Sequence, residues 1–174
     1  METEDSYPGS EGPRTILVMR HAKARQDDGA LDHERKLTGR GKRDARRIGE
    51  ELRSRDLMPD AIIASTAKRT RGTARRVAEA CGYDGAVELN PGLYLEGLDR
   101  YLRALAAIPD AVERVLIIAH NPTLEALVDH LTGRVVTLPT AAVATIDLPA
   151  VRWPDVARAT RGVLRLVLTP RELS

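Results

Sequence analysis

Phenylalanine is absent from this 174-residue chain, and aromatic side chains of all kinds make up only 3% of it. A core must therefore be assembled from Leu, Ile, Val and Ala, and a nucleic-acid surface built on base stacking has little to draw on. Cysteine is nearly absent too: Cys81 stands alone, so no internal disulfide can form, and no Cys/His set has zinc spacing. Cys81 reads as a small buried hydrophobe rather than a reactive thiol. No apolar run approaches the roughly 18 residues a membrane span needs. An excess of one charge is also missing, since 27 Lys+Arg against 25 Asp+Glu leave a net charge of +2. The start of the chain lacks the basic and apolar regions of a secretory signal. Together these absences predict a soluble cytoplasmic protein with no membrane and no nucleic-acid partner, and they leave the oligomeric state open.

What is present is unevenly distributed. Residues 1–13, METEDSYPGSEGP, hold Glu2, Glu4, Asp5 and Glu11 and no basic residue, so the remainder of the chain carries a net +6. This stretch has almost nothing to bury and predicts a disordered acidic leader. Residues 14–174, with the chain's hydrophobic content at 43%, suffice for one domain with a sizeable core.

Along that domain, apolar runs alternate with helical patterns. Thr15 to Met19 is continuously apolar, as in a strand covered on both faces, and a long polar loop follows from Ala22 to Lys36. Ala45, Ile48 and Leu52 recur at helical spacing from Thr38 to near Leu57, ahead of Pro59. A short strand at Ala61 to Ala64 precedes a helix through Ala67, Thr70, Ala74, Val77 and Cys81, with Gly82 placed as a C-terminal cap. The pattern continues with a strand at Ala86 to Leu89, a helix through Leu98, Leu102 and Leu105, and a strand at Val115 to Ala119. A helix opened by Pro122 and closed by Gly133 comes next, then strands at Ala142 to Leu148 and Val163 to Leu168. This rhythm predicts an α/β fold, a three-layer α/β/α sandwich with a mostly parallel central sheet.

Open sheets of this kind bind ligands at the carboxyl ends of their strands. The first strand ends in Arg20-His21, the second in Ser65 with Arg69 a turn beyond, and the next buried one in His120-Asn121-Pro122. Two of only four histidines thus fall on the same sheet edge, beside two arginines. Singly, each has a bland reading: a solvated strand end, a core histidine, a charge run. Jointly they make a site for a phosphoryl group, because guanidinium forks match phosphate oxygens and nearby arginines keep a histidine neutral and nucleophilic. His33 and His130 read as surface residues, although His33 lies on a loop from which it can touch the pocket.

The ordered set Arg20-His21-Ala22, Arg35-Lys36-Leu37-Thr38-x-x-Gly41, Ser65-x-Ala67-x-Arg69-Thr70 with Thr73-Ala74, and Ala119-His120-Asn121-Pro122 resembles the histidine phosphatase superfamily of phosphoglycerate-mutase-like fold. It is most similar to the small SixA-like phosphohistidine phosphatases. The resemblance implies that His21 is the nucleophile that becomes phosphorylated, that Arg20 and Arg69 grip the phosphoryl oxygens, and that His120 stabilises the transition state. It makes Ser65 and Thr38 either supports behind the site residues or pocket-edge residues that help bind phosphate or substrate, and calls for no metal and no cofactor.

Larger members of the superfamily use an acid to protonate an alcohol leaving group. Here the candidates are Glu96, in LYLEGL, and Glu125, whose place one residue after Leu124 in a helix reads rather as a solvated or dipole-compensating carboxylate. A weak or missing acid favours a phosphoramidate such as phosphohistidine, whose ring leaves well once protonated. The two dozen residues between Asn90 and Arg114 leave no room for an enclosing helical lid, so the pocket should admit a side chain of another protein. The basic faces of the Arg40 to Arg55 and Lys68 to Arg76 helices would steer an acidic partner to it. LTGRGKR fails as a phosphate-binding glycine loop, since its first glycine position falls on Lys36.

The sequence thus predicts a metal-independent phosphatase acting on phosphohistidine in a signalling or phosphotransfer protein. The same mechanism on small phosphate monoesters or nucleotides is the alternative, and a non-catalytic phosphate-binding module the remaining one.

Overall fold

The computed structural model describes residues 13–26, 29–149, 151–159 and 161–173. The acidic leader expected over residues 1–13 lies outside the described residues, apart from the exposed Pro13. Strand β1 (Arg14–Arg20) is followed by α1 (Gly39–Ser54), β2 (Ala61–Ala64), α2 (Lys68–Cys81), β3 (Val87–Leu89), α3 (Leu98–Ala106), β4 (Arg114–Ala119), α4 (Thr123–Thr132), β5 (Val143–Leu148) and β6 (Val163–Leu168). Short 3-10 segments occupy Asp32–Glu34, Pro91–Leu93, Trp153–Arg158 and Pro170–Glu172.

The strands form one sheet in the order β3-β2-β4-β1-β5-β6. β3, β2, β4 and β1 pair in parallel; β5 is antiparallel to both β1 and β6, so it alone runs against the rest. Alternating residues of each central strand enter different cores. Leu17, Met19, Leu116 and Ile118 pack with α1 and α2, while Ile16, Val18, Val115 and Ile117 pack with α3, α4 and Trp153 on the other face. This is the expected three-layer sandwich, and it explains why β1 and β4 read as unbroken apolar runs.

Local chemistry sets the element ends. α1 starts where the Thr38 side chain accepts a hydrogen bond from Gly41 N. It stops at Ser54, short of the expected Leu57, because Asp56 takes a left-handed φ of 58° and Leu57 N turns back to Leu52 O. Gly82 and Gly133 close α2 and α4 in the left-handed conformation, as their positions foretold. α1 and α2 cross closely at Gly49, where a Cβ would stand 2.7 Å from Ala80 Cβ and 2.8 Å from Val77 O. Between Asn90 and Arg114 the chain holds one 3-10 turn and the nine-residue α3, which is packed into the core; no lid covers the sheet edge there. No helix among the described residues is long and apolar enough to cross a membrane.

Candidate active site

β4 lies between β1 and β2, with Arg20 opposite Ala119 and Ala64 opposite Ile118. The residues that follow these strands, His21, His120 and Ser65, are therefore neighbours at one carboxyl edge, and the two imidazole centroids are 5.3 Å apart. His21 is pinned through its backbone: its N–H donates to Ala119 O, its carbonyl accepts from Ala141 N, and the next amide, Ala22 N, donates to Thr73 Oγ1 on α2.

The hydrogen bonds determine where each ring carries its proton. His21 Nδ1 is 2.8 Å from the carbonyl of Ala22, which can only accept, so Nδ1 bears the hydrogen and Nε2 keeps its lone pair. For His120 the assignment runs through a chain of hydroxyls. Thr70 Oγ1 lies 2.7 Å from Ala67 O and 2.9 Å from Ser65 O, so its single proton goes to a carbonyl. It must then accept the proton of Ser65 Oγ, 2.6 Å away, and Ser65 Oγ in turn accepts from His120 Nε2 at 2.7 Å. The lone pair of His120 is thereby left on Nδ1, which faces the Nη2 donor of Arg69 at 3.4 Å.

Both rings are neutral. Burial, followed by the charges of Arg69, Arg20 and Arg35, lowers the pKa of His21 to about 4 against the lifting effect of its bond to Ala22. Burial, then His21 and Arg69, lowers that of His120 to about 3. Burial and Arg69 also work against the charge of Arg20, with Glu125 offsetting them.

Arg69 is 4% exposed and is aimed by Asp32, whose backbone carbonyl takes Nη1 at 2.7 Å and whose Oδ2 takes Nη2 at 3.0 Å. Tyr94 donates its hydroxyl to the same Oδ2 at 2.7 Å, while its ring stands edge-on to His120 and His33 and 5.9 Å from the Arg69 guanidinium. The Tyr94 bond and Arg69 hold the Asp32 carboxyl below its ordinary range. Arg20 is tethered to Leu138 O by Nη1. The Nε donors of both Arg20 and Arg69 are buried without a hydrogen-bond partner. A neutral imidazole lone pair beside two such guanidinium groups is arranged to attack and hold a phosphoryl group.

The sequence model of the histidine phosphatase superfamily (branch 1) matches residues 16–94. An uncharacterised protein of Mycobacterium leprae is 33% identical over 149 residues, which span 78% of this chain and 89% of that one. The SixA structure of Nakamurella multipartitia, assigned as a phosphohistidine phosphatase, is 32% identical with a TM-score of 0.78, covering 91% of this chain and 97% of that chain. The chain belongs to the histidine phosphatase superfamily. Its fold is also that of the protein histidine phosphatase SixA complexed with tungstate, at a TM-score of 0.80 and 23% identity over 92% of this chain and 99% of that one.

In this SixA-like phosphatase the structure brings together His21, Arg20, Arg69 and His120. Of the two readings open for Ser65 and Thr38, support behind the site residues fits their bonds and the pocket edge does not. Ser65 is fully buried and spends its hydroxyl between His120 and Thr70, so it positions a ring rather than meeting substrate. Thr38 caps α1 and bonds Lys23 O, which anchors the loop after β1 to that helix. Glu96 is exposed, and its backbone carbonyl, not its carboxylate, is the group held, by Thr123 Oγ1 at 3.1 Å. Glu125 is not merely solvated: its carboxylate accepts from Asn121 Nδ2 at 2.7 Å and Leu138 N at 3.2 Å, clamping the loop that carries the Arg20 tether.

Sequence reasoning missed Asp32 and Tyr94 and gave His33 a surface reading, whereas His33 is half-buried, bonds Thr66 Oγ1 at 2.9 Å and lines the rim with Tyr94. One signal was available: a buried arginine demands a carboxylate partner, and the loop after His21 supplies acids. His130, by contrast, holds Ala157 O, far along α4 from the site.

Proposed function

We propose that this phosphatase removes the phosphoryl group from phosphohistidine on a signalling or phosphotransfer protein of the reduced cytoplasm, without a metal, by way of a phosphorylated His21. The observation that carries the reading is the supply of protons at the site. Asp32 is held ionised by Tyr94 and Arg69; Glu125 is engaged with Asn121 and Leu138; both imidazoles are neutral. Among the described residues no carboxylic acid or imidazolium is held at the histidine pair to hand a proton to an alkoxide, whereas a substrate imidazole that arrives protonated carries its own.

In the first step His21 Nε2 bonds to phosphorus as the substrate P–N bond breaks, and that electron pair returns to the substrate ring, which leaves as a neutral imidazole. Arg20 and Arg69 bear the charge of the transferring oxygens, and His120, held by Ser65, accepts from Arg69 Nη2 and so keeps that guanidinium beside the same group. Water then attacks the phosphorus, the His21 P–N bond breaks, and Nε2 regains its lone pair while Nδ1 keeps its hydrogen on Ala22 O. The uncovered edge of the sheet accommodates a protein-borne side chain.

The test is phosphate release in EDTA from a phosphohistidine substrate and from an alkyl phosphate such as phosphoserine in parallel, with His21→Ala as blank. Fast release from the first and slow from the second supports the reading; comparable or reversed rates would make Glu96 a working acid and shift the substrate to small phosphate esters. Acid-labile phosphate should be trapped on His21 and lost in His21→Ala, and trapping at another residue would overturn the mechanism.

A further inference from the structure

We infer that the seam between α1 and α2 is a docking groove for an acidic protein surface, which it holds beside the phosphoryl site. This rests on the phosphoprotein reading above and specifies the partner. Both helices start at the site edge, α1 through the bond of Thr38 N to Lys23 O and α2 through Arg69 itself, and they run side by side away from it. The 16 residues of α1 give the seam a length of roughly 24 Å.

Two adjoining cavities line this seam. The one next to the site, of about 450 Å³, has six cationic residues among its eight and no carboxylate. The other, of about 1080 Å³, shares Lys42 and Arg76 with it and continues along both helices. Among the described residues no carboxylate lies within ion-pair distance of Lys36, Lys42, Arg43, Arg71 or Arg75, and all five are exposed. Burial and the neighbouring Arg75 hold the Arg76 guanidinium below its ordinary value, with Glu79 working against them. In a chain whose net charge is only +2, so many unpaired cations along one groove repel one another without stabilising the fold.

The occupant that fits is protein rather than nucleic acid. The seam offers no aromatic side chain for stacking, and Glu50 and Glu79 protrude into the larger cavity where a phosphate backbone would be repelled. An acidic helix or strand can set its carboxylates against the cations and leave those two positions to polar groups. Because Lys68 borders both the groove and Arg69, a partner seated there brings a phosphorylated side chain to His21 without a lid.

The experiment is a fluorescence-anisotropy titration of the full chain with a labelled Asp/Glu-rich peptide, a neutral peptide of equal length and a single-stranded DNA oligonucleotide of equal charge, at low ionic strength. The acidic peptide should bind best, and Arg71→Glu/Arg75→Glu should weaken it about tenfold or more, with Arg71→Gln/Arg75→Gln in between. His21→Ala should bind as the unaltered chain does, which separates docking from chemistry. With the same peptides phosphorylated on a central histidine, the Glu variant should erase the preference for the acidic one through KM while free phosphohistidine turns over unchanged. Equal binding of acidic and neutral peptides, indifference to the Glu variant, or tighter binding of the oligonucleotide would overturn the groove. Selective peptide binding without phosphohistidine turnover would instead overturn the proposed substrate and leave the groove standing.

Discussion

Lowering the pH from 7 to 5 should destabilise the folded chain by about 4 kcal/mol through His21 and His120 alone. Burial is the largest cause of both depressed values, about 4 for His21 and about 3 for His120, against 6.5 in an exposed ring. A histidine depressed in the folded state is protonated first in the unfolded one. Its stabilising contribution is full above pH 6.5, declines as the pH falls below that, and is exhausted only past the folded value, near pH 4 for His21 and near pH 3 for His120. At pH 5 the native rings hold almost no proton and the unfolded rings nearly one each, a difference of about 2 kcal/mol per histidine. Neither ring is charged in that interval, so repulsion across their 5.3 Å separation does not enter. The assay is urea unfolding at pH 7, 6 and 5 for the unaltered chain, His21→Gln and His120→Gln. Each variant should show a pH profile flatter by about 2 kcal/mol, and stopping at pH 5 keeps most carboxylates out of the comparison. Profiles that run parallel would mean that the rings are not held neutral by burial, and the attacking lone pair assigned to His21 would lose its basis.

Three further perturbations test the site and its frame. Ser65→Ala removes the acceptor of His120 Nε2 and leaves a buried N–H unmet, so stability should fall by about 1–3 kcal/mol and kcat should fall more than KM rises; an unchanged kcat would refute the hydroxyl chain. Tyr94→Phe deletes only the bond to Asp32, and the loss of aim at Arg69 should lower kcat/KM several-fold, about 1 kcal/mol, with the melting temperature nearly constant. Gly49→Ala forces a methyl against Ala80 and Val77 O and should destabilise by about 1–3 kcal/mol in urea unfolding; a neutral result would mean that α1 and α2 are not packed this closely.

The fold was legible because its signals are local. β1 and β4 announce themselves as branched apolar runs buried on both faces, β2 and β6 match their expected spans, and Gly82 and Gly133 stop helices where left-handed φ is needed. The candidate nucleophile and its partners were legible for a related reason: a residue that follows a buried strand in an α/β sheet has its place fixed by topology. Asp32 and Tyr94 were not, because Asp32 opens one short 3-10 turn and Tyr94 follows another, where no long period ties sequence position to direction. Thr38 shows the same limit in reverse. The resemblance offered it a place at the pocket edge, but the hydroxyl bonds Gly41 N and Lys23 O.

The electrostatics of the site suit a phosphoryl dianion. Arg20 and Arg69 lower the pKa of both histidines, Arg35 that of His21, and the Nε donors of Arg20 and Arg69 are buried without acceptors. Each of these guanidinium groups is held by a bond or an ion pair. Asp32 ties back Arg69 and lies 3.3 Å from Arg35, and Leu138 O holds Arg20 in a loop clamped by Glu125. The carboxylates thus keep the cations aimed, and Asp32, held ionised by Tyr94 and Arg69, is thereby unfitted to donate a proton. One arrangement accounts both for a strong grip on a phosphoryl group and for an Asp32 carboxylate unfitted to serve as general acid, which is the ground on which we propose a leaving group that brings its own proton.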